Sequence, residues 1–378
     1  MKSIRTRPRA AALHCFYFGA LVIASATLPV GALAQMPESS VVEEGMIVDV
    51  AQRGIQLSGT LTLPTTGPGP FPTALLITGS GPQDRDETVA GMKPFRLLAQ
   101  LLAASGIATL RLDDPGVGDS TGDPMESTIA NRVIDMQASL RELGGHSAVD
   151  ASRIGVIGHS EGALVGAVLG SDPSAVSFVV MLAGPAIPIA ELIEDQAAGI
   201  LRMDGAGEEQ IASQRRIQRM TYEAVRTGEG WTEVSMAVEQ QVRAAVEALA
   251  PEQRAGISDV EAFVATQVTQ QLSAAQTAWY RSLLVYEPEP DISEIEAPVL
   301  ALYGGKDVQV PPDRNASVME RILSDAGHAD FRVMTLPDAN HLFQFAETGH
   351  PVEYATLEPA FLPALAEELV PWLQGRVR

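Results

Sequence analysis

The sequence predicts an α/β protein: a mostly parallel sheet with helices on both faces, interrupted once by a helical block. Three observations predict it. Short, continuously apolar runs such as 73–78 (TALLIT) suit strands that are buried on both faces. Segments of helical spacing alternate with such runs along the first half, the pattern of a covered parallel sheet. The pattern G-x-S-x-G at 158–162 falls between a strand-like run and a helix-like one, where a sharp turn belongs.

The elements follow in order. Period-two alternation at 46–50 and 55–63 predicts two strands, closed by Pro64 and the Gly67-Pro68-Gly69-Pro70 cluster. Then come strand 73–78, helix 95–105, strand 107–112, helix 129–143, strand 153–157, helix 162–170 and strand 177–182. From 190 to 286 no strand pattern is found. That stretch is rich in Ala, Gln, Glu and Arg, with Val238, Val242, Val246 and Leu249 at helical spacing. It predicts several short helices seated on the sheet as a cap. Alternation resumes with strand 298–304, helix 316–326 and strand 331–336, and an amphipathic helix at 359–374 closes the chain. The expected organisation is a signal peptide at 1–34, a core of 35–189 and 287–378, and a cap of 190–286.

Composition excludes several classes of function. The chain has 26 Lys+Arg against 47 Asp+Glu, a formal charge of −21. Such an excess is wrong for tracking nucleic-acid phosphates or for docking on an anionic membrane. With 46% hydrophobic and 19% charged residues, the chain is globular rather than disordered. Lys2, Arg5, Arg7 and Arg9 precede an apolar run that ends in Ala32-Leu33-Ala34. A basic start, an apolar middle and an A-x-A end are the requirements for export and cleavage. An uncleaved anchor is the competing reading, since the run approaches spanning length. Cleavage after Ala34 removes four positive charges and Cys15, the single cysteine. The expected location is periplasmic or extracellular, where a free thiol is a liability.

Ser160, at the centre of the G-x-S-x-G pattern, is the candidate nucleophile. A serine hydroxyl needs a general base, and that base needs an orienting acid. Beyond residue 34 the histidines are 146, 159, 328, 341 and 350. His341 follows the last predicted strand and so lies at the carboxyl edge of the sheet, where open α/β sheets bind ligands. His159 reads as packing, His146 as a helix-end residue, and His328 and His350 as loop residues. The acid expected at the end of strand 298–304 is Asp307. Asp113 and Asp114 precede the serine, and Asp338 is too close to His341. For the oxyanion, the backbone N–H of Glu161 opens the helix after the turn, where N–H groups are unpaired. Pro82 has no N–H, so the second donor in Gly79-Ser80-Gly81-Pro82 is Ser80 or Gly81, with Ser80 favoured. No histidine pair has metal-ligand spacing, and no nucleotide fingerprint is present, so no cofactor is expected. Asn315-Ala316-Ser317 fits a glycosylation sequon but reads better as a helix start.

These motifs resemble the α/β-hydrolases, over nearly all of the chain beyond residue 34. Within them the chain is similar to bacterial carboxylesterases with a Gly-Ser-Gly-Pro-x-Asp-Arg-Asp loop, here Gly79 to Asp86, followed by Lys93-Pro94-Phe95. Arg111-Leu112-Asp113-Asp114-Pro115-Gly116-Val117-Gly118-Asp119-Ser120 resembles their R-x-D-D-R-G-x-G-x-S segment, with Pro115 where arginine is usual. Thr78 stands where many relatives have histidine. The resemblance implies hydrolysis of short to medium acyl esters through Ser160, Asp307 and His341, whose chain order is that of the superfamily. Met203, Met220, Met236, Trp231 and Trp279 are candidates for the acyl pocket or for the core of the helical block. A serine aminopeptidase or a thioesterase would use the same machinery, and a non-catalytic binding protein could use the same scaffold.

Overall fold

The computed structural model describes residues 41–377. The expected export segment, 1–34, lies outside the described residues. Strands β1 (Val41–Val50) and β2 (Ile55–Pro64) form an antiparallel hairpin. After β3 (Phe71–Ile77), the chain alternates through α1 (Pro94–Ala104), β4 (Ala108–Leu112), α2 (Ile129–Gly145), β5 (Val149–His159), α3 (Glu161–Leu169) and β6 (Val179–Leu182). Six helices follow: α4 (Ile189–Met203), α5 (Glu208–Thr227), α6 (Trp231–Glu247), α7 (Pro251–Ala255), α8 (Val260–Ala275) and α9 (Ala278–Leu284). The chain returns through α10 (Pro288–Ser293), β7 (Val299–Gly304), α11 (Pro312–Asp325), β8 (Phe331–Leu336) and α12 (Pro363–Gln374).

The eight strands make one sheet in the order β1-β2-β4-β3-β5-β6-β7-β8. β2 meets β4 antiparallel, and from β4 to β8 every pairing is parallel. From β3 the chain first goes to β4 on one side and then to β5 on the other. That reversal opens a crevice at the carboxyl ends of β3 and β5, the usual ligand position in such sheets.

Both faces of the sheet are covered, as the apolar runs require. Leu75 and Ile77 of β3 join a cluster with α2, α3 and α11, while Ala74 and Leu76 join one with α1 and α12. The α2 helix starts where Thr128 accepts the Asn131 N–H at 3.1 Å, a cap that stabilises by about 1 kcal/mol. Asn315 is buried in the first turn of α11, where its Oδ1 accepts the Ala186 N–H at 2.9 Å. The sequon residue is therefore a structural tie between α11 and the loop after β6.

The six-helix block has an apolar cluster of its own. Val234, Val238, Val242 and Val246 of α6 meet Ile217 and Ala224 of α5 and Val264 of α8. The chain reverses between α5 and α6 through Gly228 and Gly230, with φ of 80° and 87°, values that glycine adopts without steric cost. Helices α4 and α9 contribute the largest share of the block to the main cluster, beside Val225 of α5 and Ala275 of α8. Ile189 and Leu192 of α4, and Trp279, Tyr280, Leu283 and Leu284 of α9, pack into the main cluster under the sheet. Met203 and Met236, both weighed as pocket residues, are exposed.

Candidate active site

Ser160 sits at the junction of β5 and α3 with φ 54° and ψ −120°, a left-handed conformation that L residues adopt at a cost. The flanking glycines make this turn possible. A Cβ on Gly158 would overlap the Gly162 carbonyl, and a Cβ on Gly162 would overlap the carbonyls of Ile77 and Thr78. The spacing in the motif is thus a packing requirement between the turn and the end of β3. The turn is anchored by the Ser160 N–H, which donates to Leu182 O at 2.8 Å. The serine hydroxyl does not cap α3 and is half-buried at the sheet's carboxyl edge.

His341 and Asp307 meet on the same edge, after β8 and β7. His341 Nδ1 lies 2.7 Å from Asp307 Oδ2. The other oxygen, Oδ1, accepts the N–H groups of Gln309 at 2.7 Å and Val310 at 2.9 Å. A carboxylate satisfied on both oxygens has one orientation, and it holds the imidazole as the Nδ1–H tautomer, which leaves Nε2 as the basic nitrogen. Asp113 is engaged elsewhere, accepting from the Arg85 backbone and Nε at 2.8 and 3.1 Å. Asp114 accepts from the Thr78 hydroxyl at 2.8 Å and from Gln83 N at 3.0 Å, and burial pushes its carboxyl up to about 6 despite Arg132 nearby.

The loop after β3 runs against the serine: a Cβ on Gly79 would lie 3.4 Å from Ser160 Cβ. Its polar groups are assigned one by one. The Gly79 N–H donates to Glu87 Oε1 at 2.6 Å. The carbonyls of Thr78 and Gly79 accept from Arg132 at 2.6 and 3.1 Å. The Ser80 carbonyl accepts from Gln83 Nε2 at 3.2 Å. Among the described residues the Ser80 N–H makes no backbone hydrogen bond, and neither does that of Glu161 at the start of α3. The two sequence-predicted donors are therefore N–H groups left free beside the serine.

Arg132 and Glu87 were not singled out in the sequence, and Trp279 and His159 hold positions other than those read for them. Arg132, buried on α2, reaches Glu161 Oε1 at 3.1 Å as well as the two carbonyls. Burial alone would lower its pKa, but the carboxylates of Glu161, Asp114 and Glu87 outweigh that and raise it. Trp279 of α9 donates its indole N–H to the Glu161 carboxylate, 3.2 and 3.1 Å from the two oxygens. One helix of the block is thus bonded to the residue that follows Ser160. His159, read as packing, is hydrogen-bonded at both ring nitrogens, to Glu87 Oε1 and to the His341 carbonyl, each at 2.9 Å. Arg132 carried a sequence signal, since it lies on the apolar face of α2 with Ile129, Met136 and Leu143. Glu87 carried none, and Trp279, a pocket candidate by sequence, carried no signal of its bond to Glu161. Among the described residues, no three His, Cys, Asp or Glu side chains gather to hold a metal.

Comparison with known proteins follows the same lines. Over 300 residues the chain is 28% identical to Esterase EstD of Thermotoga maritima, an alignment covering 79% of this chain and 61% of that protein. The chain thus spans about three-fifths of the length of this curated relative. An esterase of Pyrococcus furiosus superposes with a TM-score of 0.52 at 15% identity, covering 93% of this chain and 97% of its own. A proline iminopeptidase of Mycobacterium smegmatis gives 0.52 at 17%, covering 88% and 98%. At those identities the likeness concerns the fold, which is the α/β-hydrolase fold. The family profile described as serine aminopeptidase, S33, matches residues 92–347. That span holds the Ser160 turn, the helical block, Asp307 and His341, and the chain belongs to this family.

Proposed function

We propose that the protein is a serine hydrolase that cleaves carboxylic esters of short to medium acyl chain through Ser160, His341 and Asp307. The observation that carries this reading is one edge of one sheet. It holds a strained serine, an Asp-bound imidazole with Nε2 free, and two unpaired N–H groups beside the serine. Ser160 Oγ attacks the acyl carbon while His341 Nε2 takes its proton. The N–H groups of Ser80 and Glu161 bind the oxyanion, and Asp307 stabilises the imidazolium that forms. Collapse of the tetrahedral species breaks the acyl–oxygen bond, and His341 returns the proton to the departing alcohol. Water then attacks the acyl-enzyme with the same base and releases the acid. Serine and imidazole need not be hydrogen-bonded before substrate arrives, because such contacts tighten in the substrate complex.

The relative named as an esterase supports ester over amide chemistry. So does the pairing of acids in the block. Glu191, Glu194 and Asp195 of α4 each face an arginine, Arg314, Arg219 and Arg215 respectively among others, so they are engaged rather than free for a substrate ammonium. The family description keeps aminopeptidase activity as the second reading. In either case residues 190–286 act as the cap over the acyl side, and the enzyme works outside the cytoplasm after loss of 1–34. The test is a panel of nitrophenyl esters of increasing acyl length beside aminoacyl anilides, with Ser160→Ala as control. Esters are expected to be cleaved and anilides not, with activity lost in the variant. Preference for anilides would replace the esterase reading with the peptidase one.

A further inference from the structure

Five histidines lie among the described residues. His146, His328 and His350 each accept a backbone N–H on Nδ1, from Ala148, Asp330 and Val352. His341 needs a proton only on the nitrogen facing Asp307. His159 is different. Its Nδ1 faces the Glu87 carboxylate and its Nε2 faces the His341 carbonyl oxygen, both at 2.9 Å. A carbonyl oxygen can only accept, and an ionised carboxylate can only accept. With Glu87 ionised, both ring nitrogens donate, and a ring that donates twice is an imidazolium.

Glu87 is built to match. It is buried, with a left-handed φ of 53° that a glutamate adopts only when its surroundings enforce it. Its Oε1 takes two donors, the Gly79 N–H at 2.6 Å and the His159 ring. Its Oε2 is buried without a partner. Leaving an anionic oxygen so is costly unless a cation is held close by.

We propose that Glu87 and His159 are positioning residues for the reaction, and that His159, as an imidazolium paired with Glu87, clamps the oxyanion loop to the loop that carries His341. The proposal rests on the reading of His341 as base and Ser80 as donor. The chain of contacts runs from Gly79, one residue before Ser80, through Glu87 and His159, one residue before Ser160, to the backbone of His341 itself. One ion pair thus fixes the spacing between nucleophile, oxyanion donor and base. The two imidazole rings lie 4.7 Å apart at 49°. The charges facing His159 are Glu87 and Asp307, with Arg132 facing Glu87 from α2. Burial opposes the charge on His159, but Glu87, the His341 carbonyl and Asp307 outweigh it and raise the pKa.

The experiment uses the full protein labelled with nitrogen-15 histidine. At pH 8 one ring is expected to carry protons on both nitrogens, and the others on one. This signal should vanish in Glu87→Gln and in His159→Gln, but persist in His328→Gln. In both site variants kcat should fall about tenfold with KM changed by less than about twofold, because geometry rather than binding is disturbed. If no ring carries protons on both nitrogens at pH 8, or if His159→Gln keeps the native kcat, the proposal falls. The NMR reading needs no substrate and no variant that folds poorly. A Ser160→Ala protein that stays active would overturn the proposed function and leave that reading intact.

Discussion

The helical block and the Ser160 edge both carry many charge pairs, but in different surroundings. Arg243 and Glu261 of the block pair with their side chains 39% and 73% exposed. Arg132 and Glu161 pair beneath the oxyanion loop at 6% and 1%. Exposed pairs gain little and lose little, because water and salt screen both members. Buried pairs cost desolvation, and removing one partner strands the other. Backbone strain divides the molecule in the same way. Glu87, Ser160 and Phe343 have positive φ around the site, whereas the positive-φ residues within α4–α9 and its turns are glycines. The block is thus held by apolar helix packing that tolerates change. The site is held by charges and strain that must be satisfied together.

Substitutions can break or sharpen this contrast. The largest effect is expected for Arg132→Met, which leaves Glu161 buried without its cation. Chemical denaturation should show a loss of about 3–5 kcal/mol, and a loss near zero would erase the contrast. Trp279→Phe comes next. It keeps the ring in the core but removes the donor to Glu161, a hydrogen bond to a charged group worth about 1.5–3 kcal/mol. Because this bond joins α9 to the residue after Ser160, kcat should fall as well, and an unchanged kcat would separate the block from the chemistry. Arg243→Ala should be smallest, with no resolvable change in Tm or in activity. A clear fall in Tm would mean that the block depends on its surface pairs after all.

Much of the fold was legible in the sequence because its signals are local. The buried strands read as apolar runs, α6 as valines four apart, and the Ser160 turn as glycines at fixed offsets. Asp307 and His341 were legible because topology places the ends of β7 and β8 on one edge. The residues that tie the edge together were not. Arg132 meets Glu161 across 29 positions, His159 meets Glu87 across 72, and Trp279 meets Glu161 across 118. No periodicity links residues so far apart. His159 was taken for packing because sequence cannot say which way a side chain leaves a sharp turn. Its neighbour Glu87 sat in a polar loop where an acid is unremarked, although only the fold shows it buried.

The central claim is that Ser160, alone among the serines, is an activated nucleophile. Mass spectrometry after brief exposure to a fluorophosphonate tests it most directly. The account predicts one adduct, on the peptide containing Ser160, and none in His341→Gln treated alike. An unmodified protein, or an adduct on another residue, would contradict it.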